Sequence, residues 1–433
     1  LLMTQRELTP GEGLEFVIRG VRDRYLGVDE SWKELYTWYR QNEGQKVDRI
    51  LDAGFFKKKP DALTGEEAAE LYGEKKQFSV TRMERFSACA YAHFLTYGLH
   101  LSDRERYEFE AMDLGNIAHQ SMERFARKAQ EKRMPWPKLE EVQRDAMIEE
   151  SVEESIKDYG NTVLYSTARN EYMIVRIKQL IRRSVWALTR QMEKGDFEPS
   201  GYEMNFGSGK IDRVDTCEDE DVVYVKVTDY KTGMKSFDIV ALYHGLQMQL
   251  PVYLNAALEL EERRAPGKTV EPAGIFYYRI KDPIVDREKD DHALEEKILK
   301  ELRLDGMINA KEEVIEHLEH QLSGTSVLNP IGKNKDGSLN RYSKVLPPEA
   351  FAAMLSYTKK KEAQVKRQIY AGEVQANPYE LNGSTGCDYC AYRDICGFDP
   401  RLDGYAYRSL EKYSKEEVIR RMEEEIENRE EPS

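Results

Sequence analysis

The sequence predicts an α/β fold, a mixed sheet flanked by helices with extra helices and a cysteine staple. Three observations carry this. Residues 198–232 hold β-favouring runs that include Val222, Val223, Val225 and Val227. Long stretches with apolar residues at helical spacing lie on both sides of them. A cysteine far upstream, Cys89, answers a dense C-terminal group, Cys387, Cys390 and Cys396.

In chain order, residues 12–75 read as mostly helical with breaks near Gly54 and Pro60, and carry no chemical motif. FSVTRMERFSACAYAHFLTYGL (78–99) reads as a turn and then a helix, with Thr81 and Glu84 spaced as a capping box. Helices are expected around 106–131, 139–159 and 168–194. YEMNFGSGKIDRVD and DVVYVKVTDYKTG read as two strands joined by a turn at Thr216–Asp221. Residues 241–263 form a helix that Pro251 should bend, and AGIFYYRI (273–280) a further strand. Residues 324–347 read as a long polar, mobile loop, and 415–428 as an acidic amphipathic helix. Strand, strand, helix, strand between helices is an α/β layer pattern. The expected division is a helical N-terminal segment over 1–75, a catalytic domain over 76–410 and an acidic tail over 411–433. The chain starts at Leu1 with its first methionine at position 3, and so reads as a piece of a longer polypeptide.

With 433 residues and 40% apolar composition the chain can bury a large core. Its net charge of −14 argues against a general nucleic-acid sponge, but a local basic groove would still suffice for DNA. No apolar run is long enough for a transmembrane helix, and no membrane partner is expected. GSGK (207–210) and PGKT (266–269) lack the glycine spacing of a nucleotide-binding loop.

Four features lie in order: Gly115 with His119; Asp212 in GKIDRVD, with Glu203 upstream; Asp229-Tyr230-Lys231; and Gln249 with Tyr253. Hydrolysis of a phosphodiester at neutral pH needs an activated water and a neutralised phosphate, and hard Mg²⁺ on carboxylates supplies both. Asp212 and Asp229 on adjacent strands would grip one metal ion, with His119 completing its ligands. The period of two puts Lys231 on the same strand face as Asp229, where it can orient water or offset charge. Gln249 and Tyr253, four residues apart on one helical face, would hold the nucleic-acid strand or Lys231. Singly, each motif is more often ordinary packing; the joint order points to a metal-dependent nuclease. A non-catalytic DNA-binding or scaffolding module is the alternative from a different class.

CDYCAYRDIC supplies three thiols, and zinc or an iron–sulfur cluster needs a fourth donor. Cys217 sits in the acidic turn TCEDED, a poor setting, whereas Cys89 sits among Phe86, Tyr91 and Phe94. Cys89 is therefore the expected fourth ligand, and Cys217 an unligated thiol. A zinc ribbon with a different fourth donor stays open.

The ordered motifs resemble the RecB-like branch of the PD-(D/E)XK nuclease superfamily, and the Cys…CxxCx₅C bracket resembles its iron–sulfur subgroup. Within that subgroup, FSVTRMERFSACAYAHFLTYGLHL after ALTGEEAAELYG looks most like the AddB family of bacterial ATP-dependent helicase–nucleases. Ala90-Tyr91 stands where that family usually has Pro-Phe. The resemblance covers about residues 60–410. It implies a structural 4Fe–4S cluster on Cys89, Cys387, Cys390 and Cys396, and Mg²⁺ on His119, Asp212, Asp229 and the Tyr230 carbonyl. Asp212, Asp229, Lys231, Gln249 and Tyr253 would be catalytic. It also implies a heterodimer with an AddA-like helicase–nuclease partner in the bacterial cytoplasm. Cleavage would fall on single-stranded DNA, the 5′-terminated strand, during recombinational repair of double-strand breaks.

Overall fold

The computed structural model describes residues 9–22, 30–54, 62–73, 78–102, 111–165, 167–207, 209–288, 290–402 and 404–427. The chain divides into two compact units, Leu1–Asp61 with Asp399–Ala406, and Ala62–Phe398 with Tyr407–Ser433. In the first, helices Pro10–Arg22, Trp32–Asn42 and Gly44–Gly54 bury Leu14, Val17, Tyr39 and Val47 together. The expected break near Pro60 and the start of the helix expected from 106 lie outside the described residues.

The second unit is built on a six-stranded sheet in sequence order: β1 Glu198–Phe206, β2 Gly209–Asp219, β3 Val222–Lys231, β4 Thr269–Arg279, β5 Asp305–Asn309 and β6 Val345–Leu346. β1–β2–β3 are antiparallel, β3–β4 parallel, β4–β5 antiparallel and β5–β6 parallel. The sheet is mixed and flanked by helices, as the sequence predicts. Alternation along β3 sorts its side chains into two cores. Tyr224 and Tyr230 join Phe276 and Tyr278 in the core under helices Ala111–Glu131, Glu141–Leu164 and Ala168–Met192. Val223, Val225 and Val227 join Ile275 and Tyr277 under helices Val80–Ala88, Gln249–Arg264, Pro348–Tyr370 and Lys415–Glu427.

Several expectations are corrected. GKIDRVD is a strand of its own: the backbone turns at Gly207 and re-enters the sheet at Gly209, so β1 and β2 form a hairpin in place of the single strand expected. The helix expected over 241–263 is two, Ile239–Tyr243 and Gln249–Arg264, parted by a turn in which Gly245 takes φ 78°. Pro251 is the third residue of the second helix, where its missing N–H would have no intrahelical acceptor, so it starts the helix without bending it. Ser79, not Thr81, caps Val80–Ala88, accepting from Arg82 N. A capping box occurs at Thr64 and Glu67. Residues 324–347 are not a featureless loop: they bury Leu328 and Ile331, and the Ser326 hydroxyl accepts from the Leu328 and Asn329 amides.

His93, 0% exposed, accepts a 3.0 Å hydrogen bond from Arg82 Nε, whose guanidinium lies over the ring of Phe78. Burial, then the Arg82 charge, push the imidazole down to about 3. Its folded-state value lies below the unfolded one, so its stabilising contribution is complete above about pH 6.5 and is lost as pH falls toward 3. Relative to a His93→Gln variant, the parent should lose on the order of 4 kcal/mol across that window. Urea melts of both proteins at pH 7 and pH 4 measure this; parallel slopes would contradict it.

Candidate active site and cysteine cluster

The site forms at the end of the sheet where β2 begins and β3 ends. Arg213↔Thr228 is a paired rung, and Asp212 and Asp229 stand one step beyond it on neighbouring strands. Asp212 Oδ2 accepts from Tyr230 N at 2.8 Å and lies 3.3 Å from His119 Nδ1. His119 comes from helix Ala111–Glu131, which approaches closely because a Cβ at Gly115 would meet Thr232 Oγ1 at 3.0 Å. Asp229, 1% exposed, accepts from Gln249 Nε2 at Oδ1, 2.9 Å, and meets Lys231 Nζ at Oδ2, 2.5 Å. That last contact is a charge pairing, since no donor reaches Asp229 Oδ2 with hydrogen-bond geometry. Gln249 Nε2 also donates to Tyr253 Oη at 2.9 Å. The Gln249–Tyr253 pair thus holds Asp229, rather than Lys231 as expected. His119, Asp212, Asp229, Tyr230, Lys231, Gln249 and Tyr253 all converge here.

Three acidic residues that received no role from the sequence join them. Glu84 Oε1 accepts from Met248 N and Gln249 N, at 2.7 and 3.0 Å, at the start of Gln249–Arg264. Its spacing from Thr81 concealed this; it caps a helix 164 residues away. Glu203, close to Asp212, has φ 46° inside β1. That left-handed strain costs about 1–2 kcal/mol and commonly marks functional positions. Glu123 is the third, a neighbour of Glu203 on the His119 helix.

The carboxylates crowd one another. Burial, then Asp212, raise Asp229, while Lys231 and His119 oppose this. Burial resists protonation of His119, but the hydrogen bond and charge of Asp212 outweigh it and raise the imidazole. Burial, then Asp212 and Glu123, push Glu203 up to about 7. Its folded-state value lies above the unfolded one, so its favourable contribution is present below about pH 4.5 and lost as pH rises through about 7. Glu203→Gln should therefore raise stability at pH 8 by roughly 2–3 kcal/mol and change it little near pH 4.5. Melts in EDTA would show it; equal gains at both pH values would not fit.

The four cysteines of the expected bracket come together. Cys89 is buried and extended between helices Val80–Ala88 and Ala90–His93. Cys387 follows a small sheet of β7 Tyr379–Leu381, β8 Ser384–Thr385 and β9 Arg408–Ser409. A Cβ at Gly386 would meet Ala88 O at 2.9 Å, so glycine permits this approach. Tyr91 N donates to Gln375 O and Ala90 N to Asn377 Oδ1, fastening the two segments. Burial raises the Cys387 thiol; the Tyr407 hydroxyl lowers it, and Cys89, Cys390 and Cys396 raise it further. Cys217 lies elsewhere on β2, and none of the five forms a disulfide.

Residues 77–397 match the family model of the PD-(D/E)XK nuclease superfamily. The chain belongs to the PD-(D/E)XK nuclease superfamily. Relatives of this PD-(D/E)XK chain include proteins named as the B subunit of an ATP-dependent helicase/deoxyribonuclease. That of Lachnoclostridium phytofermentans is 37% identical over 94% of this chain and 37% of its own length. That of Alkaliphilus oremlandii is 33% identical, over 97% and 39%. That of Clostridium tetani is 32% identical, over 94% and 37%. The chain thus spans under two fifths of the length of these relatives.

Proposed function

We propose that this chain is the nuclease portion of an AddB-like helicase–nuclease component, hydrolysing single-stranded DNA with Mg²⁺. The carrying observation is the meeting of His119, Asp212, Asp229 and Lys231 at one sheet end, with contacts of 3.3 Å and 2.5 Å between oppositely chargeable groups. Carboxylates that raise one another's proton affinity are a donor set that a hard divalent cation relieves. His119, Asp212, Asp229 and the Tyr230 carbonyl would hold it. When bound, Mg²⁺ supplies a Lewis acid for the phosphate and a more acidic water.

The chain's own residues do the rest. Gln249, backed by Tyr253 and by Glu84 at the helix start, fixes the Asp229 carboxylate. Lys231 offsets charge that builds on the phosphate oxygens. Half-buried Glu203 is suited to take a proton from the attacking water near neutral pH.

Cys89, Cys387, Cys390 and Cys396 would hold a structural 4Fe–4S cluster. A tetrahedral zinc ion, with Zn–S of about 2.3 Å, keeps its sulfurs about 3.8 Å apart. Among the described residues, the triad of ligand atoms within 4.8 Å of one another lies elsewhere, so these thiols stand wider than one ion grips. This supports a multi-iron cluster. By similarity to the helicase/deoxyribonuclease relatives, the partner is an AddA-like helicase–nuclease chain, the substrate the 5′-terminated strand of unwound DNA, and the process double-strand-break repair.

End-labelled single-stranded DNA tests the reading. Shortening in Mg²⁺, none in EDTA and none with Lys231→Ala are expected, with 5′- and 3′-labels distinguishing polarity. Absence of Mg²⁺-dependent cleavage, alone and with the partner chain, would favour the scaffolding module.

A further inference from the structure

A second cluster of donors lies on the same strand as Asp212 but toward its other end. Cys217 is five residues along β2, about 17 Å away at a rise of about 3.4 Å per residue. Cys217, Asp196 and His317 each offer one ligand atom, and these lie within 4.8 Å of one another. His320 Nε2 adds a fourth nearby, 2.7 Å from Asp196 Oδ2. The nuclease reading uses none of these residues.

The donors come from three separate segments: the approach to β1, the middle of β2 and the end of helix Glu312–Leu318. The backbone locks them together. Asp196 N donates to His317 O at 2.8 Å and His320 N to Lys194 O at 2.7 Å. A Cβ at Gly195 would fall 2.4 Å from His317 O, so only glycine allows the two loops to lie this close. The Tyr224 ring, cross-strand from Cys217, lies 5.7 Å from the His317 ring and helps fix its plane. Asp196 Oδ2 faces His317 Nδ1 at 2.8 Å, and Asp219 Oδ2 lies 3.5 Å from His317 Nε2.

Carboxylate–imidazole pairing alone does not call for a thiol. Cys217 is 4% exposed, yet its sulfur is turned toward an imidazole and a carboxylate. One sulfur, one or two ring nitrogens and one carboxylate oxygen form a borderline-soft, four-donor set that suits Zn²⁺ better than Mg²⁺ or Ca²⁺. Asp219, beside the histidine, is placed to orient the ring as an outer carboxylate does for zinc-bound imidazole.

We propose that Cys217, His317 and Asp196, with His320 as the fourth donor, form a structural Zn²⁺ site that fastens helix Glu312–Leu318 to the β1–β2 edge of the sheet. Binding releases the Cys217 thiol proton and any proton held on the imidazoles, so zinc uptake rises with pH.

The test uses the whole chain, purified anaerobically, beside Cys217→Ser and His317→Gln. The probes are ZnSO₄, read by elemental analysis, and CoCl₂, read by absorption. The parent is expected to hold one zinc equivalent more than either variant, with equal iron in all three. It should show a thiolate-to-cobalt charge-transfer band that Cys217→Ser lacks, and zinc should raise its melting temperature by at least about 3 °C. His320→Gln, at an exposed position, keeps the test open if Cys217→Ser does not fold; a tenfold or greater loss of zinc affinity is expected. Equal zinc content in parent and variants, or cobalt bound without a thiolate band, overturns the proposal. The cluster is then an Asp–His ion-pair network with a buried thiol beside it.

Discussion

Asp229→Ala is expected to lower Mg²⁺-dependent DNA cleavage by at least ~10³-fold, about 4 kcal/mol of transition-state stabilisation. Asp229 is where the site's contacts meet: Gln249 at one oxygen, Lys231 at the other, Asp212 on the adjoining strand. Removing it takes away a proposed metal ligand and leaves the Lys231 ammonium and the Gln249 amide without their partner. The fold should survive, because the lost group is a raised, crowded carboxylate whose burial costs stability. Unchanged iron absorbance together with lost cleavage is the expected pair of results. Asp229→Ala with parental activity would move the chemistry elsewhere. Gln249→Ala should act through Asp229, lowering kcat with a smaller change in KM.

Cys89→Ala is expected to bleach the iron–sulfur absorbance and lower the melting temperature by roughly 5–10 °C. Cys89 and Cys387 are 298 residues apart, and a link closing a loop of that length removes on the order of 5 kcal/mol of chain entropy from the unfolded state. Cys217→Ser should leave that absorbance intact. A bleached Cys217→Ser with an intact Cys89→Ala would show the bracket wrongly assigned. Only the cysteine link should be lost, because Tyr91, Ala90 and Arg408 still bond the two segments through the backbone.

Much of the site could be read from residue order, because a strand's period and a helix's period are local properties. Asp229 and Lys231 share a strand face wherever β3 lies, and Gln249 and Tyr253 share a helix face. What those faces meet was not legible. Gln249 holds Asp229 because the turn at Gly245 starts its helix at the sheet's end. Glu84 has the spacing of a local cap, but Ser79 satisfies its helix and Glu84 serves one 164 residues on. Cys217 reads as idle in an acidic turn because His317 and His320 lie about 100 residues further along the chain.

The sequence by itself determined the α/β class, the order of the nuclease motifs, and Cys89 as the cysteine best suited to join the C-terminal three. Each rests on short-range periodicity or on residue chemistry, which the chain carries wherever it folds. Only the tertiary structure decided the hairpin of β1 and β2, the roles of Glu84, Glu123 and Glu203 around the carboxylates, and the meeting of Asp196, Cys217 and His317. These depend on strand register and on close approaches at Gly115, Gly195 and Gly386, which bring together residues too far apart in sequence for any local pattern to connect.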